Sequence, residues 1–224
     1  MSKFISSLIL LFLMLSHTAF GQDSLRSFQP SGIRVGVETI GLIKSFTGAK
    51  AGGKELFADI DFGRYLVAVE AGESFRNLTI KDGTYSNEGK YLRLGVDVNF
   101  LKKDPDRNMF FLGFRYSRAV YGEKLDYLYN TGIGAVNMDV EQKQLKSGWL
   151  ELTTGLRVRV VKFFWMGYTA RLKFGSSVPD ESPIAPYEIP GYGLTFKKPW
   201  WGFSYYLMFR IPFKKDQGSG LAKK

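Results

Sequence analysis

Tyr91-Leu92-Arg93-Leu94-Gly95-Val96-Asp97-Val98-Asn99-Phe100 places Leu92, Leu94, Val96, Val98 and Phe100 on one parity and Arg93, Gly95, Asp97 and Asn99 on the other. Successive side chains leave a strand on opposite faces, so this stretch is a strand with one apolar and one charged surface. The same alternation marks seven of eight segments: Gly32 to Leu42, Leu56 to Phe62, Tyr65 to Phe75, Gly89 to Phe100, Asn108 to Val120, Gly148 to Val161, Phe163 to Gly175 and Trp200 to Phe213. The first of these is the least regular. Connections after the second, fourth and sixth segments are short, around Gly63-Arg64, Lys102 to Arg107 and Lys162. The other four, Ile43 to Glu55, Arg76 to Glu88, Tyr121 to Ser147 and Ser176 to Pro199, are long, with turn residues such as Asp82-Gly83 and a run of prolines in the last. Short turns at one rim and long loops at the other are the asymmetry of an outer-membrane barrel.

Composition bounds the rest. Lys3, the apolar run Phe4 to Leu15 and Ala19-Phe20-Gly21 read as a cleaved signal over residues 1–21, leaving a segment 22–31, a barrel over 32–213 and a basic tail, 214–224. The chain has no cysteine, and its one histidine, His17, lies in the signal, so the mature protein lacks thiolate sites, zinc sites and histidine bases. With Lys3 removed, 30 basic against 21 acidic residues leave a balance of +9, suited to an anionic lipid headgroup or lipopolysaccharide phosphate rather than to nucleic acid in an exported chain. Mean hydropathy is slightly negative, but strands with every second residue apolar average out in any hydropathy window.

Alternation alone leaves open whether the apolar face meets lipid or an internal cavity, as in a secreted lipocalin-like carrier. Three features favour lipid. The opposite parity carries Arg34, Glu38, Asp59, Asp61, Glu70, Arg93, Asp97, Arg115, Glu151, Arg157, Arg159, Arg171, Lys173 and Arg210, both signs together, as a narrow filled lumen requires. Aromatic residues Phe163, Trp165, Trp200, Trp201 and Phe213 crowd strand ends, where they form girdles at the headgroup level. The last strand ends Tyr205, Leu207, Phe209, Ile211, Phe213, like the aromatic-ended strand that outer-membrane assembly machinery recognises, although residues 214–224 follow it.

Together with Phe111-Leu112-Gly113-Phe114-Arg115-Tyr116, Pro190-Gly191-Tyr192-Gly193 and Arg210-Ile211-Pro212-Phe213-Lys214, the opening stretch makes the mature chain resemble the small eight-stranded outer-membrane barrels, and more narrowly an uncharacterised family of them. That resemblance implies an all-β, eight-stranded antiparallel transmembrane barrel in a Gram-negative-type outer membrane and brings no activity with it. The residues point to a non-enzymatic scaffold or accessory protein without cofactor or metal, meeting protein partners through residues 121–147 and 176–199. Asp59 and Asp61, about 6.6 Å apart along a strand, could instead serve a lipid-modifying enzyme, though neutralising lumen arginines accounts for them equally. Gly132-Ile133-Gly134 and Gly191-Tyr192-Gly193 precede no helix and read as loop glycines rather than phosphate cradles. Asn77-Leu78-Thr79 has the form of a glycosylation acceptor, and Lys214, Lys215, Lys223 and Lys224 form a solvated tail.

Overall fold

The computed structural model describes residues 29–101, 103–131, 134–177, 185–196 and 200–213; the expected signal over 1–21, the basic tail, Gly132-Ile133 and most prolines of the last connection lie outside them. Strand β1 (Gly32–Glu38) runs into helix α1 (Thr39–Phe46), followed by β2 (Ala51–Asp61), β3 (Tyr65–Ile80), β4 (Gly83–Asn99), β5 (Met109–Thr131), β6 (Gly134–Val161) and β7 (Phe164–Phe174). A small hairpin, β8 (Glu188–Ile189) and β9 (Gly193–Leu194), precedes β10 (Trp200–Pro212). The described residues are all-β apart from α1. Eight antiparallel strands close in a ring, β1-β10-β7-β6-β5-β4-β3-β2, sealed by pairing of β1 with β10 from Gly32↔Pro212 to Glu38↔Tyr206.

Tight turns gather at one end. Gly63, at φ +85°, reverses the chain between β2 and β3, and Asp61 Oδ1 accepts the Gly63 N–H at 2.7 Å. Asn99 Oδ1 and Asp104 Oδ2 accept the N–H groups of Leu101 and Asn108 in the next turn. At the other end the structure departs from the alternation-based boundaries. The first strand stops at Glu38, not Leu42, because the Glu38 carboxylate caps α1, accepting from Ile40 N at 2.8 Å and Gly41 N at 2.6 Å. Much of the expected loops 76–88 and 121–147 is strand. β3 and β4 continue to the Ile80↔Gly83 pair and β5 and β6 to Thr131↔Gly134, past a bulge at Tyr121/Glu123. The β3–β4 extension is mostly polar, while in β5 and β6 Leu125, Tyr127 and Tyr129 pair with Val140, Met138 and Val136 on the parity of buried Tyr85 and Glu123, an alternation that runs opposite to that of the belt. β6 pairs with β7 only from Leu150 onward, and the free edge before it carries Asp139, Glu141, Lys143 and Lys146, charges that discourage edge-to-edge association.

Candidate functional site

The inward parity of the ring builds one continuous ladder of opposite charges. Starting near the short turns, Arg34 Nε on β1 donates to Asp59 Oδ1 on β2 at 2.9 Å, and Asp59 also receives Arg157 from β6. Arg157 reaches on to Asp97 at 3.0 Å, Asp97 to Arg115 at 2.7 Å, and Arg115 to Glu70 at 3.6 Å. Glu70 holds Arg93 and Arg171, each at 3.0 Å. Arg93 closes on Glu55 at 2.6 Å and Glu151 at 3.1 Å, while Arg171 lies 3.7 Å from Glu55 and 3.5 Å from Glu151. Five carboxylates, Asp59, Asp97, Glu70, Glu55 and Glu151, thus meet five guanidinium groups, all nearly or fully buried. Buried ions are tolerated only when paired and hydrogen-bonded, and the fixed fork of arginine lets one cation serve several carboxylates.

Packing fits these groups into an eight-stranded interior, which leaves room for little more than side chains. Gly113 supplies space: a Cβ there would stand 1.8 Å from Asp97 Oδ1. Aromatic faces line the remainder. The Arg157 guanidinium lies 4.7 Å from the Phe57 ring centre and 4.4 Å from that of Phe111, and Arg34 lies 5.4 Å from that of Trp165. Tyr206 accepts from Arg171 and donates to Glu55; Tyr91 and the Trp149 indole donate to Glu55 and Glu151 at 2.6 Å each.

Above the ladder, the β8–β9 hairpin dips into the mouth. Its turn needs Gly191 at φ +79° and Gly193 at φ +109°, conformations open to glycine at little cost. Ile189 and Tyr192 are wholly buried against Ala119, Tyr121 and Trp149, with the Tyr192 and Trp149 rings edge-to-face at 5.7 Å. The ladder grips this plug from below: Arg93 Nη2 donates to Gly191 O at 3.0 Å, and Lys173 Nζ donates to Gly191 O at 2.6 Å and Tyr192 O at 3.0 Å. Asn87 holds Glu188 O at 2.9 Å, and Arg76 pairs with the Glu188 carboxylate.

Some charges of the inward parity stand apart from the ladder. Arg159, expected to face the lumen carboxylates, instead pairs with exposed Asp106 at 2.5 Å beside the short turns, at the end of β6. Asp61 caps its turn and Glu38 caps α1, while Arg210 donates to Ser31 O and Oγ at 3.3 and 3.2 Å. Asp59 and Asp61 therefore have separate partners. Among the expected girdle aromatics, Phe163, Trp201 and Phe213 are exposed on the outside. Trp165 is 1 % exposed in the interior, and Trp200 packs against the plug cluster. Glu55, a central carboxylate of the ladder, was assigned to a loop by sequence; extending the parity of Phe57, Asp59 and Asp61 back by one step identifies it.

The ladder's carboxylates are engaged by guanidinium groups on several sides, an arrangement that fixes strands to one another. Among the described residues no group of three or more histidine, cysteine or acidic side chains is placed to hold a metal ion. No curated protein matches the chain. The family model described as "Domain of unknown function (DUF6048)" matches residues 1–216, and the chain belongs to that family.

Proposed function

We propose that the protein is an exported, non-enzymatic barrel of a Gram-negative-type outer membrane, a scaffold or accessory subunit whose lumen is closed by its own side chains. One observation carries this reading: the wall is inverted relative to a water-soluble protein. Register rows on the outside read Ile60-Val67-Val96-Phe114-Leu152-Leu172-Trp201 and, one step along, Ala58-Val69-Leu94-Tyr116-Leu150-Phe174. Val67, Val96, Phe114, Leu152 and Trp201 are each more than 40 % exposed, while the opposite face buries five ion-paired carboxylates. An apolar belt of this kind around a closed strand ring suits a hydrocarbon surround, where every backbone group must be bonded within the protein. A secreted carrier would need an apolar cavity, whereas this interior is charged. The signal-like residues 1–21 support export, and Trp201, Phe163 and Phe213 suit the headgroup level.

Fractionation of expressing cells with alkaline carbonate, followed by electrophoresis with and without boiling, tests the proposal. The protein should stay with the outer membrane and migrate faster unboiled. Release by carbonate would overturn it.

A further inference from the structure

We infer that the outer wall carries a binding site for the phosphate of an anionic membrane lipid, formed by Lys90, Arg118 and Lys146; the inference rests on the outer-membrane reading above. Lys54, Glu73, Lys90, Val120 and Lys146 form one register row across β2 to β6, and Leu56, Ala71, Leu92, Arg118 and Gly148 form the next, which borders the row of Leu94, Tyr116 and Leu150. Lys90, Arg118 and Lys146 therefore sit on three neighbouring strands, with Arg118 diagonal to both lysines, at the upper edge of the apolar belt. Diagonal neighbours on one face of a sheet are within reach of long side chains. All three are exposed.

The site is defined by what its cations lack. Other lysines at this end of the wall have acidic partners: Lys124 with Asp126 and Asp139 at 3.4 Å each, Lys143 with Glu141 at 2.9 Å, and Lys54 with Glu73 at 4.0 Å. Glu73 also stands across from Lys90, and Glu88 lies two residues from Lys90 on the same face, yet among the described residues no ion pair reaches Lys90, Arg118 or Lys146. Unpaired like charges on adjacent strands repel, so their placement is favourable only when an anion joins them. The wall also leaves room for one. Gly148 presents no side chain between Arg118 and Lys146, and the nearest atoms to a Cβ there would be Tyr116 Oη at 3.5 Å, Ser117 O at 3.6 Å and Ser177 Oγ at 3.9 Å, all at ordinary contact distance. An arginine fork, two ammonium groups and a tyrosine hydroxyl around a glycine gap match a phosphate monoester, and the leucines below them match its acyl chains.

The protein purified from cells in dodecylmaltoside, titrated with short-chain phosphatidic acid or phosphatidylcholine and read by native mass spectrometry, should retain phosphatidic acid about ten-fold better. Combining Lys90→Ala, Arg118→Ala and Lys146→Ala should bring that preference close to one. Arg118→Gln alone should lower it about three-fold, and the Lys124→Ala, Lys143→Ala protein should keep it. Equal retention of the two lipids by the wild type, an unchanged preference in the triple variant, or displacement by an equal concentration of inorganic phosphate would each overturn the site as a lipid site. A carbonate-resistant protein without the preference would overturn the site alone. A carbonate-released protein that keeps it would overturn the membrane reading instead.

Discussion

The two halves of the barrel interior solve the same burial problem differently. Toward the short turns every buried carboxylate of the ladder meets at least one guanidinium, from Arg34–Asp59 to Arg93–Glu151. Toward the mouth, buried Glu123 is held by neutral donors, the Tyr85 hydroxyl at 2.9 Å and Gln142 Nε2 at 3.2 Å, while Tyr121 shares a hydrogen bond with Ser147 at 3.2 Å. The plug then seals this half with aromatic contacts. Full ion pairing is demanded where the ring is deeply enclosed; near the open end, polar neutral groups and packing suffice.

The sharpest way to break this contrast is to remove one arginine from each environment. Arg157→Ala takes one of two guanidinium partners from each of Asp59 and Asp97, which keep Arg34 and Arg115, and leaves the buried ladder one cation short; loss of one partner from a buried pair costs about 3 to 5 kcal/mol. Arg159→Ala removes a surface pair with Asp106, worth about 0 to 1 kcal/mol. The temperature at which the compact electrophoretic form disappears should fall markedly for the first and barely for the second. Equal shifts would mean that the ladder does not hold the barrel together.

A smaller and more local effect is expected at the plug. Tyr192→Ala should remove aromatic burial against Trp149 and Tyr121 at a cost of about 2 to 4 kcal/mol, reduced to the extent that the hairpin detaches by itself. Protease cleavage within residues 185–196 should accelerate well before the barrel melts. In planar bilayers neither this variant nor the wild type should conduct, because the ladder still fills the lumen beneath the plug. Stable open-pore currents in the variant alone would make the plug, not the ladder, the seal.

What sequence made legible follows the same division. Alternation was sharp wherever a strand has one apolar outer face and one charged inner face, so β4 was bounded on its belt side to within a residue, at Asn99 rather than Phe100. It failed from Arg76 onward, where polar residues interrupt it, and from Tyr121 onward, where past the bulge the apolar residues Leu125, Tyr127, Val136, Met138 and Val140 move to the inward face. Helix α1 was hidden because Ile40, Leu42 and Ile43 fit a ragged strand as readily as a two-turn amphipathic helix. Trp165 shows a second limit: its indole is paired with a guanidinium inside the barrel, and residue type favoured the outer rim over what its parity within β7 requires. The plug was visible only as the glycine-rich turn Pro190-Gly191-Tyr192-Gly193 in a proline-rich connection. Its docking on Arg93 and Lys173 depends on contacts nearly a hundred residues apart in one case, which no local pattern records.

The smallest expected effect sharpens the comparison at the mouth itself. Glu123 lies beyond the Lys90–Val120–Lys146 row, outside the apolar belt, and burial raises its carboxyl above the usual glutamate range despite the opposing hydrogen bond from Tyr85. For an acid whose folded-state value exceeds its unfolded value, the folded state binds more protons between the two, so stability falls as pH rises through that interval and is level on either side. Hydrogen exchange of amides around Tyr85 and Glu123, corrected for intrinsic base catalysis, should therefore report easier opening as pH rises above the ordinary value of 4.5. Glu123→Gln, which keeps the shape and can still bond Tyr85, should flatten that dependence. The ladder's amides should follow the same course in both proteins, and a flattening that extends to the strands around Asp97 would show that the two halves respond as one unit.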